Sequence, residues 1–159
     1  MGTGGKWGLS KSKIACFESH RRIWAHALNS GMTTVLIFED DLRLSRHAAE
    51  VVRRLMASSG AFDVVKIDYS PKVLPYGPAD QINDMNVRAL LETASSAGGY
   101  IVSRSGCRKL LDWSQTYSDH LDDFIFMPRP DWRVFKHFPL SLFSWFSRPR
   151  KRSKIWPRC

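Results

Sequence analysis

The sequence predicts an α/β domain, a mixed sheet flanked by helices. Three observations carry this reading. An apolar run, TTVLIF, ends directly in three consecutive carboxylates, Glu39, Asp40 and Asp41; stretches with helical periodicity alternate with short β-branched runs; and Gly, Asn and Ser fall between them. At 159 residues the chain is the size of one domain, long enough to bury roughly two-thirds of its unfolded surface. Residues 1–147 are expected to form that domain and residues 148–159 a basic tail.

Gly2, Gly4, Gly5 and Gly8 make a flexible lead-in, after which Ser10 caps a helix. In it Ile14, Phe17, Trp24 and Leu28 recur at helical spacing, and it ends near Asn29 to Gly31. TTVLIF is a strand whose uniform apolarity places it in the middle of a sheet covered on both faces. Ser45 caps a second helix with Ala48, Val52, Leu55 and Met56 as its apolar stripe. FDVVKIDYS supplies another central strand. From Pro71 to Met85 the Pro, Gly, Asn and Asp content predicts a long loop. GGYIVS is a short strand, SGCRKLLDW a helix capped by Ser105, and DWRVFKHFPL a late strand closed by Pro139.

A net charge of +9 favours polyanionic surroundings. Arg148, Arg150, Lys151, Arg152, Lys154 and Arg158 have no acid among them. One reading holds them loosely at an anionic inner-membrane surface, at about 1 kcal/mol each at most; the other is a solvated terminus. A nucleic-acid binder using this tail with Trp145, Phe146 and Trp156 as stacking platforms ranks well below, since no recognised motif accompanies the aromatics and the charge clusters at one end. No nucleic-acid partner is expected. Cys16, Cys107 and Cys159 are widely spaced, with no metal-knuckle pattern and no disulfide framework. With no signal-peptide core and no apolar run approaching ~20 residues, the expectation is a cytoplasmic protein, peripheral at the inner membrane face at most.

In an extended segment alternate side chains share a face, so Glu39 and Asp41 point one way and Asp40 the other. Oxygen donors suit Mg²⁺ or Mn²⁺, with substrate phosphates completing the shell. The alternative is that the acids merely solvate a turn ahead of the second helix. The triplet also lies at the carboxyl end of a strand, where α/β sheets bind ligands. His20 falls at the edge of the first helix's stripe, as a hydrogen-bonded core residue or as one that reaches a cleft. SDHLDDFIF offers Asp119, His120, Asp122 and Asp123 either as proton acceptors or as a solvated helix start.

LSKSKIACFESHRRIW, VLIFEDDLRLS, FDVVKI, GGYIVSRSGCRKLL and LDDFIF, in this order and with these gaps, resemble the family 25 glycosyltransferases of lipooligosaccharide and lipopolysaccharide biosynthesis. Cys16, Ser19 and His20 match that family's Cys-x-x-Ser-His pattern, and Glu39 to Asp41 its Glu-Asp-Asp. The resemblance implies a GT-A type fold and transfer of a hexose, commonly galactose, from a UDP-sugar to a saccharide or lipid-linked saccharide acceptor. It implies an inverting displacement with Asp122 as base and Asp123 as its competitor; His20 is the third catalytic candidate. Ser19 and Asp40 go with the donor, and Glu39 and Asp41 with Mn²⁺ or Mg²⁺. Two departures stand out. The family's opening strand has no counterpart before Ser10, and Lys13 and Ala15 stand where the family's Gly-Glu-Ile-Gly has its glutamate and second glycine. Losing that strand leaves a central strand at a new edge, so an inactive fragment or pseudoenzyme of the same fold is the alternative expectation.

Overall fold

The computed structural model describes residues 9–40, 42–69 and 73–138, together with the backbone of residues 143–145. Asp41, Phe146, Trp156, the side chain of Trp145 and the basic tail lie outside the described residues.

Ser10 opens α1 (Lys11–Asn29) by accepting a hydrogen bond from Lys13 N. The helix buries Phe17, Trp24 and Ala27 along with Cys16 and His20, whereas Ile14, expected in the stripe, is 39 % exposed. Gly31, at φ 70°, turns the chain out of the helix in a conformation that costs a residue without Cβ little. β1 (Thr34–Phe38) and the short β2 (Leu42–Leu44) follow, then α2 (Ala48–Met56), which buries Ala48 and Leu55. Ser45 lies just outside α2: its hydroxyl accepts from His47 N at 3.2 Å, and His47 holds the cap position without a side-chain bond.

The middle of the molecule is β3 (Val64–Lys66) and β6 (Gly99–Ser103), both wholly buried. With β4 (Tyr76–Ile82), β5 (Met85–Leu90) and β7 (Val134–His137) they build a six-stranded sheet in the order β1-β6-β3-β7-β5-β4. β6 is antiparallel to both β1 and β3, and β3 is parallel to β7. A second, two-stranded sheet pairs β2 with β8 (Phe143–Trp145).

Strand alternation sends Val64, Tyr100 and Val102 to one face, against α1, α3 (Arg104–Trp113) and α4 (Leu121–Phe126). Val65 and Ile101 go to the other face, against α2. The result is a mixed sheet flanked by helices, a GT-A-like α/β fold. Among the described residues no helix is long and apolar enough to cross a membrane.

Three local expectations are corrected. β1 lies at the edge of the sheet, not in its middle: among the described residues β6 is its only partner. Uniform apolarity reports covered faces and carries no information about how many sides are hydrogen-bonded. Residues 71–85 are not one loop, because β4 and β5 form a hairpin around Asn83 and Asp84, at φ 49° and 63°. Two left-handed residues in succession are the mark of a type I′ turn, whose twist matches paired strands. Pro78 is tolerated because β4 is the opposite edge of the sheet, with a register shift between Tyr76 and Ala79. Lastly, Ser103 caps α3, accepting from Gly106 N at 3.1 Å, while Ser105 donates to Asp63 Oδ1 at 2.7 Å.

Candidate active site

Because β1 and β3 both oppose β6, their carboxyl ends lie on the same side of the sheet. A cavity of about 480 Å³ opens there, with Lys13, His120 and Asp122 on its α1 and α4 side, Glu39 and Tyr69 beyond the strand ends, and Ser96 in the segment before β6. Glu39 N donates to Gly98 O at 2.8 Å, which fixes the start of the acid triplet beside this segment. The packing needs small residues: a Cβ on Gly99 would meet Leu42 Cδ1 at 3.1 Å, and one on Gly98 would meet Asp68 Oδ2 at 3.2 Å.

Asp122, in the first turn of α4, accepts a hydrogen bond from Ser96 N on Oδ2 at 2.9 Å. Ser96 is itself at φ 69° and is held from several directions. Its hydroxyl donates to Asp68 Oδ2 at 2.7 Å and accepts from Gly98 N at 3.2 Å, and its carbonyl accepts from Lys66 Nζ. Lys66 and Asp68 are both 0 % exposed and form an ion pair, Nζ to Oδ1, at 2.5 Å, although Oδ1 has no partner in hydrogen-bonding geometry. Lys66 Nζ also stands 4.6 Å from the centre of the Phe126 ring, and Lys136 Nζ donates to the backbone oxygen of Asp68. Burial pushes the Lys66 ammonium below its usual range, with Asp68 opposing the shift. Burial, and then the Lys66 charge, push Lys136 down to about 7.

His20 does not reach the cavity surface. It is 6 % exposed, and its Nδ1 is 2.6 Å from the Tyr100 hydroxyl, which accepts from Trp24 Nε1 at 3.1 Å. Among the described contacts His20 Nδ1 is the acceptor available to the buried Tyr100 proton, and accepting it leaves a neutral imidazole with its own proton on Nε2. Burial agrees, pushing His20 down to about 4. A ring nitrogen of His20, the sulfur of Cys16 and a Glu39 carboxylate oxygen all lie within 4.8 Å of one another. As a metal site this cluster is weak: Cys16 and His20 are buried and offer one soft sulfur and one nitrogen, whereas the hard cations expected here take oxygen ligands. Two carboxylates line the cavity, Glu39 and Asp122: Glu39, the first of the acid triplet, suits a cation held by one or two carboxylates and a phosphate, and Asp122 is placed to accept a proton.

The structure therefore brings Glu39 and Asp122 to one cavity, with His20 behind its wall. It does not bring Ser19, Asp40 or Asp123 to the lining. Ser19 is exposed, its hydroxyl donating to Ala15 O at 2.8 Å, and Asp40 is exposed at the strand end. Asp123 is half-buried, and burial followed by the neighbouring Asp122 charge raises its carboxyl above the usual range. Asp41 lies outside the described residues. Sequence reasoning missed Ser96 and the Lys66–Asp68 pair. A lysine and an aspartate bracketing Ile67 at the end of an apolar strand were the available signal. Lys13, noted as a departure from the family pattern, sits 3.1 Å from His120 Nε2 at the cavity.

A helix-flanked mixed sheet with a carboxylate-bearing cavity at its strand ends places the molecule among GT-A-like α/β proteins. More narrowly, the chain belongs to glycosyltransferase family 25 (LPS biosynthesis protein), whose model matches residues 5–125. It is 31 % identical over 104 residues to a Haemophilus influenzae protein provisionally named a glycosyltransferase, covering 65 % of this chain and 36 % of that one. The lacto-N-neotetraose biosynthesis glycosyltransferase LgtE of Neisseria meningitidis serogroup B is 31 % identical over 111 residues, covering 65 % of this chain and 40 % of LgtE. The mouse inactive glycosyltransferase 25 family member 3 is 29 % identical over 110 residues, covering 65 % of this chain and 18 % of its own length. The chain thus spans well under two-thirds of these relatives.

Proposed function

We propose that this chain is a metal-dependent hexosyltransferase, moving a hexose such as galactose from a UDP-sugar to a saccharide or lipid-linked saccharide acceptor. The observation that carries the reading is the convergence of Glu39 and Asp122 on one cavity beyond β1 and β3, the usual ligand position in α/β sheets. Its volume falls in the ordinary range for small-molecule sites. Asp122 takes the proton of the acceptor hydroxyl through Oδ1, the oxygen left unbonded when Oδ2 is held by Ser96 N. Asp123, which does not line the cavity, is set aside as the base. His20, neutral and bonded to Tyr100, positions α1 behind the site and does not touch substrate. Glu39, with Asp41, would hold Mn²⁺ or Mg²⁺; when bound, the ion supplies positive charge toward the leaving diphosphate. The basic residues beyond Ser147 would add a loose contact with an anionic cytoplasmic membrane face.

A second reading, a catalytically silent member that keeps the fold, is favoured by the match to a relative named inactive over 65 % of this chain. Turnover of UDP-galactose and UDP-glucose with Mn²⁺, against a panel of mono- and disaccharide acceptors, separates the two. The transferase reading expects turnover that stops in Asp122→Asn while UDP binding persists. Binding without turnover in the parent protein supports the silent reading, and turnover unaffected by Asp122→Asn removes the assigned base.

A further inference from the structure

We infer that Ser96 is the positioning residue for Asp122, and that the buried Lys66–Asp68 pair holds Ser96 in the left-handed conformation this requires. The inference rests on the proposed role of Asp122 for its catalytic meaning, though not for its geometry. A serine at φ 69° is disfavoured by its Cβ and persists only where its surroundings over-determine it. Here they do. The hydroxyl of Ser96 is fixed by Asp68 Oδ2 and Gly98 N, and its carbonyl by Lys66 Nζ.

Two fully buried charges therefore direct side-chain hydrogen bonds to the same small residue. Burying charges is costly, and an attested use of such pairs is to specify one arrangement over others. The arrangement specified is the direction of the Ser96 N–H, which depends on φ. At φ 69° it points at Asp122 Oδ2, 2.9 Å away. Relaxed to an ordinary negative φ, it would swing off. A carboxylate with one oxygen pinned presents the other in a single orientation, which lowers the ordering cost of reaching an acceptor hydroxyl.

Amide hydrogen exchange, followed by NMR, tests the geometry without any turnover. Asp122→Ala is expected to speed exchange at the Ser96 amide at least tenfold, and an unchanged rate overturns the inference. UDP-galactose turnover with Mn²⁺ tests the consequence. Ser96→Ala, which loses the Asp68 tether, is expected to lower kcat tenfold or more with KM and the UDP Kd unchanged. Ser96→Asn, a residue type that tolerates the left-handed region and keeps a side-chain donor, should stay within threefold of the parent. In an Asp122→Ala background the Ser96→Ala loss should vanish, because the two act as a unit. Independent, multiplying losses, or an effect confined to KM, overturn the positioning role. A parent protein that turns over no UDP-sugar sinks the transferase reading instead, and the exchange result alone then decides the inference.

Discussion

Replacing Lys66 by methionine removes the cation from a pair in which both side chains are fully buried and Nζ lies 2.5 Å from Asp68 Oδ1. At an effective dielectric constant of about 20, two unit charges at that distance attract by roughly 7 kcal/mol, which in the native protein offsets the desolvation of both ions. In the variant the attraction is gone but Asp68 is still buried, with the Ser96 hydroxyl donating to Oδ2 as its remaining side-chain bond. Orphaning one member of a buried pair costs about 3–5 kcal/mol. In a domain of this length that corresponds to a fall in Tm of roughly 6–20 °C. Adding Asp68→Asn removes the orphaned charge and keeps an oxygen for Ser96 to donate to, so at least half of the loss should return. Urea denaturation at pH 7, followed by tryptophan fluorescence, measures both variants. A single variant that loses less than about 1 kcal/mol, or a second substitution that deepens the loss, refutes the account of the pair as a mutually dependent buried unit.

Gly106→Ala would place a Cβ 2.3 Å from Asp63 O, a backbone oxygen that also accepts from Ser103 N at 2.9 Å. Overpacking against backbone costs about 1–3 kcal/mol or more, exceeding the ~1 kcal/mol that alanine gains in a helix interior; an unchanged Tm contradicts the packing. His20 and His137 are both pushed down to about 4 by burial, His137 further by Lys136. Their contribution to stability is therefore present above an unfolded value near 6.5 and lost as the pH falls toward 4, by up to roughly 3 kcal/mol each. Urea melts between pH 7 and pH 4 should show that fall, and a flat profile rules it out. Lys136, pushed down to about 7, works at higher pH in the same sense: stability rises between about pH 7 and 10.5 and is lost as the pH falls through 7. Lys136→Met should abolish the rise, and one that persists in the variant assigns it to other groups. Glu39→Gln should weaken Mn²⁺-dependent UDP binding at least tenfold in calorimetry; equal affinity removes Glu39 from the metal set.

How much of this was legible in the sequence differs from element to element. The cap at Ser10 and the burial of Phe17 and Trp24 follow from local spacing, and the structure reproduces them. That the acid triplet begins at a strand's carboxyl end is equally local. The edge position of β1 is a matter of neighbour choice, which apolar content does not encode. The β4–β5 hairpin was hidden because Gly77 and Pro78 argue for a loop, and because the Asn83–Asp84 turn signal is weaker than Asn-Gly. Spacing alone does not separate the adjacent Asp122 and Asp123, which only the family pattern ranks; one residue of helical rotation brings Asp122 to Ser96 and the cavity lining and leaves Asp123 off it. Ser96 gave no signal at all, since its importance comes from a backbone angle and from partners 26 to 30 residues away.

A nucleotide diphosphate held in the cavity beyond β1 and β3 with the help of a divalent cation would make UDP binding depend on the metal. Calorimetric titration of UDP into the purified, folded protein, with and without Mn²⁺, tests it most directly. Saturable binding that requires the metal is the expected result. A folded protein that binds no UDP in either condition, or binds it equally well in both, contradicts it.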